Sequence, residues 1–168
     1  CTGMTDSNEP RGIDLDALSL DQLNNLKSQE EQRLQSITNR YAELRAASSR
    51  FLAAKDALID LKSSENQAGG NEVMVPLTAS LYVPGKVKDV NKIMVELGTG
   101  FFAEKSSKEA LAFLERKIKL VDTNSANVMK VVQATRQNIE QVQVAMQGKM
   151  LEIRARQEGV SHRMKDEG

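Results

Sequence analysis

Apolar residues recur three and four positions apart along two long stretches of the chain. In the first, Leu20, Leu23, Lys27, Glu30, Leu34, Ile37, Tyr41, Leu44, Ser48, Phe51, Lys55 and Leu58 fall on one seam, with no Gly or Pro between them. A pattern of this length predicts a coiled-coil helix over 20–62, about 65 Å long at 1.5 Å per residue. Ser19 followed by Gln22 forms a capping box at its start, and Leu18 and Leu23 can staple that turn. The polar run Ser63–Asn71, with Gly69-Gly70, ends it. A second capping box, Ser106 and Glu109, opens a cleaner seam: Leu111, Leu114, Ile118, Val121, Ser125, Val128, Val132, Thr135, Ile139, Val142, Met146, Lys149, Ile153, Arg156, Val160 and Arg163. It predicts a helix over 107–165, about 85 Å long.

Between the helices, residues 72–105 are rich in Val, Leu and Ile in short runs broken by Pro or Gly. That is strand composition punctuated by turns. One hairpin is expected over Glu72–Leu77 and Ser80–Val83, turning at Thr78-Ala79, with Pro84-Gly85 ending the second strand. Asp89–Ile93 reads as a connection. A second hairpin is expected over Ile93–Leu97 and Phe101–Lys105, turning at Gly98-Thr99-Gly100, with Ile93, Val95 and Leu97 on one face. Isolated hairpins are marginal in water and their edges invite pairing, so this unit is expected to complete its sheets with other chains.

Helices that flank a compact β unit most simply fold back on each other. The fold class is therefore α+β: a long antiparallel coiled-coil hairpin with two β-hairpins at its base. Residues 1–14 are polar, with Pro10 and Gly12, and are expected to be a disordered tail; 15–168 read as one domain. The register places Leu58 near Leu111 and Leu20 near Lys149. The first helix then runs out where Gly148 appears in the second, and the distal end should be loosely paired. Ile13, Leu15, Leu18 and Leu26 from one side, and Met150, Leu151, Ile153 and Val160 from the other, are left with few partners there. They either complete the coiled coil or form an apolar surface for non-native chains; both readings stay open at this point.

Composition narrows the function. The 23 basic and 23 acidic side chains cancel, which gives no bulk electrostatic reason to seek nucleic acid or an anionic membrane. No apolar run approaches the roughly 20 residues needed to span a bilayer. One Cys precludes an internal disulfide and fits a reducing compartment. Cys1-Thr2-Gly3 is expected to derive from an upstream start, with Met4 as the natural initiator; an amino-terminal lipidated Cys is the competing reading. Gly98-Thr99-Gly100 lacks the third Gly of a dinucleotide fingerprint, and Gly85-Lys86 lacks the rest of a P-loop. His162 reads as a solvated side chain, Met94, Met146 and Met150 as packing, and Glu115–Lys119 as a solvated pair. No catalytic residues, metal or cofactor are expected.

The stretches Val75-Pro76-Leu77-Thr78, Leu81-Tyr82-Val83-Pro84-Gly85-Lys86 and Gly98-Thr99-Gly100, set between two long helices, closely resemble the alpha class of prefoldin subunits. The similarity runs from about Leu15 to Gln157. The resemblance implies a heterohexamer of two alpha-class and four beta-class subunits, whose hairpins form a double β-barrel bearing six coiled coils. It implies that Val73, Val75, Leu77, Leu81, Val83, Ile93, Val95, Leu97, Phe101 and Phe102 serve assembly. It further implies that the helix ends hold unfolded or nascent chains, notably actin and tubulin, for a cytosolic chaperonin, without ATP. Cytoplasmic residence follows, and residence in the nucleus as well stays open. Two other classes stay open: a coiled-coil adaptor that binds a nuclear transcription regulator, and a lipid-anchored periplasmic chaperone.

Overall fold

The structure, a computed structural model, describes residues 12–64 and 72–166. The upstream segment Cys1–Arg11, with Met4, and the Gly69-Gly70 stop lie outside the described residues. In chain order the elements are a 3-10 turn at Leu15–Ala17, α1 (Leu20–Ser63), β1 (Glu72–Pro76), β2 (Tyr82–Lys86), β3 (Ile93–Gly98), β4 (Phe101–Lys105) and α2 (Ser107–Asp166). The expected layout of two long helices around two hairpins is what the chain adopts. Among the described residues two compact units can be distinguished, a helical unit of 12–38 with 130–166 and a hairpin unit within Asn39–Met129.

Both capping boxes form. The Ser19 amide donates to Gln22 Oε1 at 2.9 Å, and the Gln22 amide to Ser19 Oγ at 3.3 Å. At α2, the Ser106 amide donates to Glu109 Oε2 at 2.9 Å, and the Glu109 amide to Ser106 Oγ at 3.3 Å. Each box satisfies two backbone donors that a helix start leaves unpaired.

In the hairpin unit the helices pair antiparallel. Lys55 Nζ lies 3.0 Å from Glu115 Oε1, and Ser48 Oγ donates to Asp122 Oδ1 at 2.8 Å. These contacts put Leu58 within a residue of facing Leu111, as the seam implied. Glu115 therefore pairs across the helices with Lys55, not along α2 with Lys119: a cross-seam lysine reaches it first. Ser48 is 1% exposed, and a buried hydroxyl needs a partner. Asp122 supplies it, with Arg45 Nη1 3.4 Å from the same oxygen. Ser125 is also buried, and bonds back to the Asp122 carbonyl at 3.0 Å.

In the helical unit, Leu23, Val132, Ile139 and Val142 are buried, and so is Thr135, whose hydroxyl bonds to the Val131 carbonyl at 2.8 Å. The buried positions of α2 here step by three and four, which is the spacing of the seam.

The hairpins form two separate two-stranded antiparallel sheets, β1-β2 and β3-β4. The first departs from expectation. Pro84-Gly85 does not end a strand; β2 runs through both residues to Lys86, with Met74 opposite Pro84 and Val73 opposite Gly85. Each strand has one free edge, where a residue without an N–H leaves no ladder bond unmade. Gly85 also suits close approach, because a Cβ there would come within 3.3 Å of Val75 Cγ2. The turn is longer than Thr78-Ala79: the Leu77 amide donates to the Leu81 carbonyl at 2.8 Å, and Thr78 Oγ1 accepts from the Ser80 and Leu81 amides. In the second hairpin Gly100 adopts φ 78°, which favours Gly. The pairing slips between Glu96 and Gly98. Beside this bulge Leu97 is exposed, whereas Ile93 and Val95 are half-buried.

Two outcomes are expected. Ser48→Ala and Asp122→Ala should each destabilise the chain, and a double-mutant cycle by thermal unfolding should show coupling of about 1 kcal/mol; additive effects would show that the bond carries nothing. The Glu109 carboxyl is held below its usual 4.5, chiefly by the Ser106 backbone amide, then by the Ser106 hydroxyl, with Lys105 adding to the effect and burial opposing it. A lowered folded-state value means the cap contributes at and above pH 4.5 and is lost as pH falls through the lower folded value. NMR titration of the Ser106 and Glu109 amides should give a midpoint below 4.5; one at or above it would mean the box is not formed in solution.

Candidate functional site

Two surfaces carry most of the large apolar groups that the fold leaves exposed. The first is the pair of hairpins. Every residue of β1 is exposed, and in β2 only Gly85 is half-buried. Val73, Val75, Leu77, Leu81 and Val83 all lie open, Leu77 at 60%. In β3-β4, Phe101 and Phe102 are 75% and 60% exposed. Among the described residues neither sheet is covered on both faces, and of the apolar hairpin side chains named from the sequence only Ile93 and Val95 are half-buried. The face bearing Ile93 and Val95 borders a cleft of about 590 Å³, also lined by Phe51, Leu58, Phe113 and Leu114. Lys117 Nζ stands 5.5 Å from the Phe113 ring centroid at its rim, a cation–π contact.

One anchoring residue escaped the sequence reading. Val90, in what looked like a plain connection, is 2% exposed. Its carbonyl accepts from the Ser107 hydroxyl, itself buried, and Ala110 is buried one turn further along α2. The Asp89 side chain accepts from the Asn91 amide at 2.9 Å, and the Asp89 carbonyl accepts from the Lys92 amide at 3.3 Å, which closes the turn around Val90. The available signal was the isolated Val between Asp89 and Asn91, together with a second Ser directly after the capping Ser106. This turn links the second hairpin to the first turn of α2.

The second surface belongs to the helical unit. From Met150 to Lys165 every side chain of α2 is exposed, including Met150, Leu151, Ile153 and Val160. The residues before α1 behave differently. Asp14 Oδ1 accepts from the Asp16 amide and caps the 3-10 turn. Leu15, Leu18 and Leu26 are half-buried, whereas Ile13 is exposed. Lys149 Nζ donates to the Asp16 carbonyl at 2.8 Å. The eight apolar residues grouped from the sequence thus fall into two sets, an open run on α2 and a partly seated one ahead of and within α1. Glu30, on the α1 seam, has one carboxylate oxygen 3.7 Å from Arg33 Nη1 and the other buried without a partner.

Among the described residues no group of three or more His, Cys, Asp or Glu is placed to hold a metal ion, and no helix is long and apolar enough to cross a membrane. His162 is exposed.

These surfaces can be set beside known proteins. Residues 30–151 match the family model for the prefoldin subunit. Probable prefoldin subunit 5 of Schizosaccharomyces pombe is 36% identical over 140 residues, 83% of this chain and 90% of the relative. Prefoldin subunit 5 of Homo sapiens is 32% identical over 145 residues, 86% of this chain and 92% of the relative. Probable prefoldin subunit 5 of Dictyostelium discoideum is 32% identical over 138 residues, 82% and 84% of the two chains. Among solved structures, a chain of the cryo-EM structure of filamentous PFD from Methanocaldococcus jannaschii superposes with a TM-score of 0.58 at 23% identity, covering 72% of this chain and 98% of that one. That likeness concerns the fold; the relatives carry the sequence match across both helices and both hairpins, and the chain belongs to the prefoldin subunit family.

Proposed function

We propose that this chain is a non-catalytic chaperone subunit, of the alpha class, in a heterohexameric prefoldin complex. The observation that carries the reading is the pair of hairpins: open strand edges and apolar side chains exposed by up to 75%, on a chain whose family is that of prefoldin subunits. Water does not favour such a surface at about 25 cal/mol per Å², and edge strands pair with other strands. The occupants are beta-class subunits and a second alpha-class subunit, whose hairpins join these in a double β-barrel. The exposed apolar run Met150–Val160 at the other end of α2 holds unfolded or nascent chains, actin and tubulin among them, and passes them to the cytosolic chaperonin. The complex works in the cytoplasm. Exposed apolar residues spaced along a helix and interleaved with Arg and Glu suit transient, low-specificity capture.

Co-expression with candidate beta-class subunits should give a native mass of two copies of this chain and four partners; a monomer, or a homodimer that ignores the partners, would overturn the assembly. Phe101→Asp should abolish that complex, because a charge would enter the barrel without a counter-ion. Replacing Leu151 and Val160 with Ser should leave the complex intact and reduce its suppression of client aggregation several-fold, and unchanged suppression would remove the helix end from the capture site.

A further inference from the structure

The residues ahead of α1 form a short strap on the helical unit. Leu15 lies between two clefts. One, of about 510 Å³, is also lined by Val144, Gly148 and Lys149; the other, of about 270 Å³, is also lined by Leu26 and Val142. The strap is held lightly. Leu15 is only half-buried, Ile13 is 66% exposed, and the polar tie to α2 is the Lys149 ammonium on the Asp16 carbonyl. Gly148 leaves its part of the first cleft bare: a Cβ there would meet nothing within 4 Å.

We propose that the strap is an internal occupant of a peptide groove, and that an extended apolar segment of an unfolded chain binds in its place. The inference rests on the capture role proposed above and deepens it. The strap shows what the groove accepts. It offers apolar side chains two residues apart, Ile13 and Leu15, the spacing an extended chain presents on one side. Its polar contact with α2 is through a backbone carbonyl, which every polypeptide carries, so Lys149 would recognise main chain and not sequence. An occupant tethered next to its groove competes at high effective concentration. The apparent affinity for a client then falls with the fraction of time the groove is open. The strap thus sets a threshold: a short or weakly apolar segment does not displace it, and a longer apolar one does.

This assigns Leu15 the opposite effect to that of a direct client contact, and the sign is measurable. The assembled complex would be titrated with a fluorescein-labelled 12-residue peptide of alternating Leu and Ser, followed by anisotropy. Leu15→Ser loosens the strap without altering the groove on α2 and should tighten binding about two- to tenfold, the factor expected from losing part of a leucine's burial. Gly148→Met fills the first cleft with a better helix former and should weaken binding at least fivefold without lowering the melting temperature. Saturating peptide should also speed exchange of the Ala17 and Leu18 amides, which bond to the Asp14 and Leu15 carbonyls in the strap. Unchanged or weaker binding by Leu15→Ser, unchanged binding by Gly148→Met, or no binding to any form of the complex would each overturn the proposal. The native mass of the complex reads the assembly separately, so a failed strap and a failed subunit reading are distinguishable.

Discussion

A hydroxyl buried in an apolar seam must find a partner, and in this chain that requirement fixes which turn of one helix faces which turn of the other. Ser48 is nearly inaccessible, and its bond to Asp122 is possible in one register. Leucines and valines spaced by three and four tolerate a slip of seven residues, since each step presents another apolar group of similar shape. A polar residue in the seam does not, because a slip would leave it unpaired in a medium that cannot solvate it. Lys55 with Glu115 repeats the constraint two turns along. Ser125 and Thr135 are exempt, since each bonds to its own helix; they thin the seam without selecting a register.

With the register set, the chain distributes its apolar surface unevenly. The seam is buried, and Val90 ties the second hairpin to the first turn of α2 through the Ser107 hydroxyl. The hairpins keep their own apolar side chains outside. A two-stranded sheet has too little area to bury both faces, and among the described residues no third strand joins either sheet. The proposed assembly rests on this incompleteness: strands with open edges and uncovered apolar faces pair with strands of other subunits. The exposed end of α2 has a different origin. α2 has 60 residues and α1 has 44, so the longer helix has no equal partner over its whole length.

The strap adds a constraint of a third kind. The seam is stabilised by extensive burial, whereas the strap rests on a half-buried leucine and one charge-assisted bond to a carbonyl. Contacts of that size open readily, so a strap of this kind can yield to a competing chain while the coiled coil beneath it stays intact.

What the sequence determined by itself is whatever depends on neighbours along the chain. The two helices follow from a three-four period unbroken by Gly or Pro. Their starts follow from Ser19 with Gln22 and Ser106 with Glu109, because a cap is built within four residues. The second turn follows from Gly100, and the words around Pro76, Pro84 and Gly98 carried the family. The tertiary structure decided what depends on distant partners. Pro84 and Gly85 looked like a strand's end, yet a free edge accommodates the first and the closeness of Val75 favours the second. Leu97 looked like a third inward residue; it lines the same cleft as Ile93 and Val95 but lies more exposed, beside the slip in pairing with β4. Glu115 had Lys119 within reach on its own helix but meets Lys55. Val90 looked like a loop residue until α2 placed Ser107 against its carbonyl. Leu15 looked equivalent to Leu151, yet the first is half-buried beside Leu26, Val142 and Val144 and the second is open. Local patterns report what the backbone does; burial and pairing are properties of two segments at once, and they are settled when the segments meet.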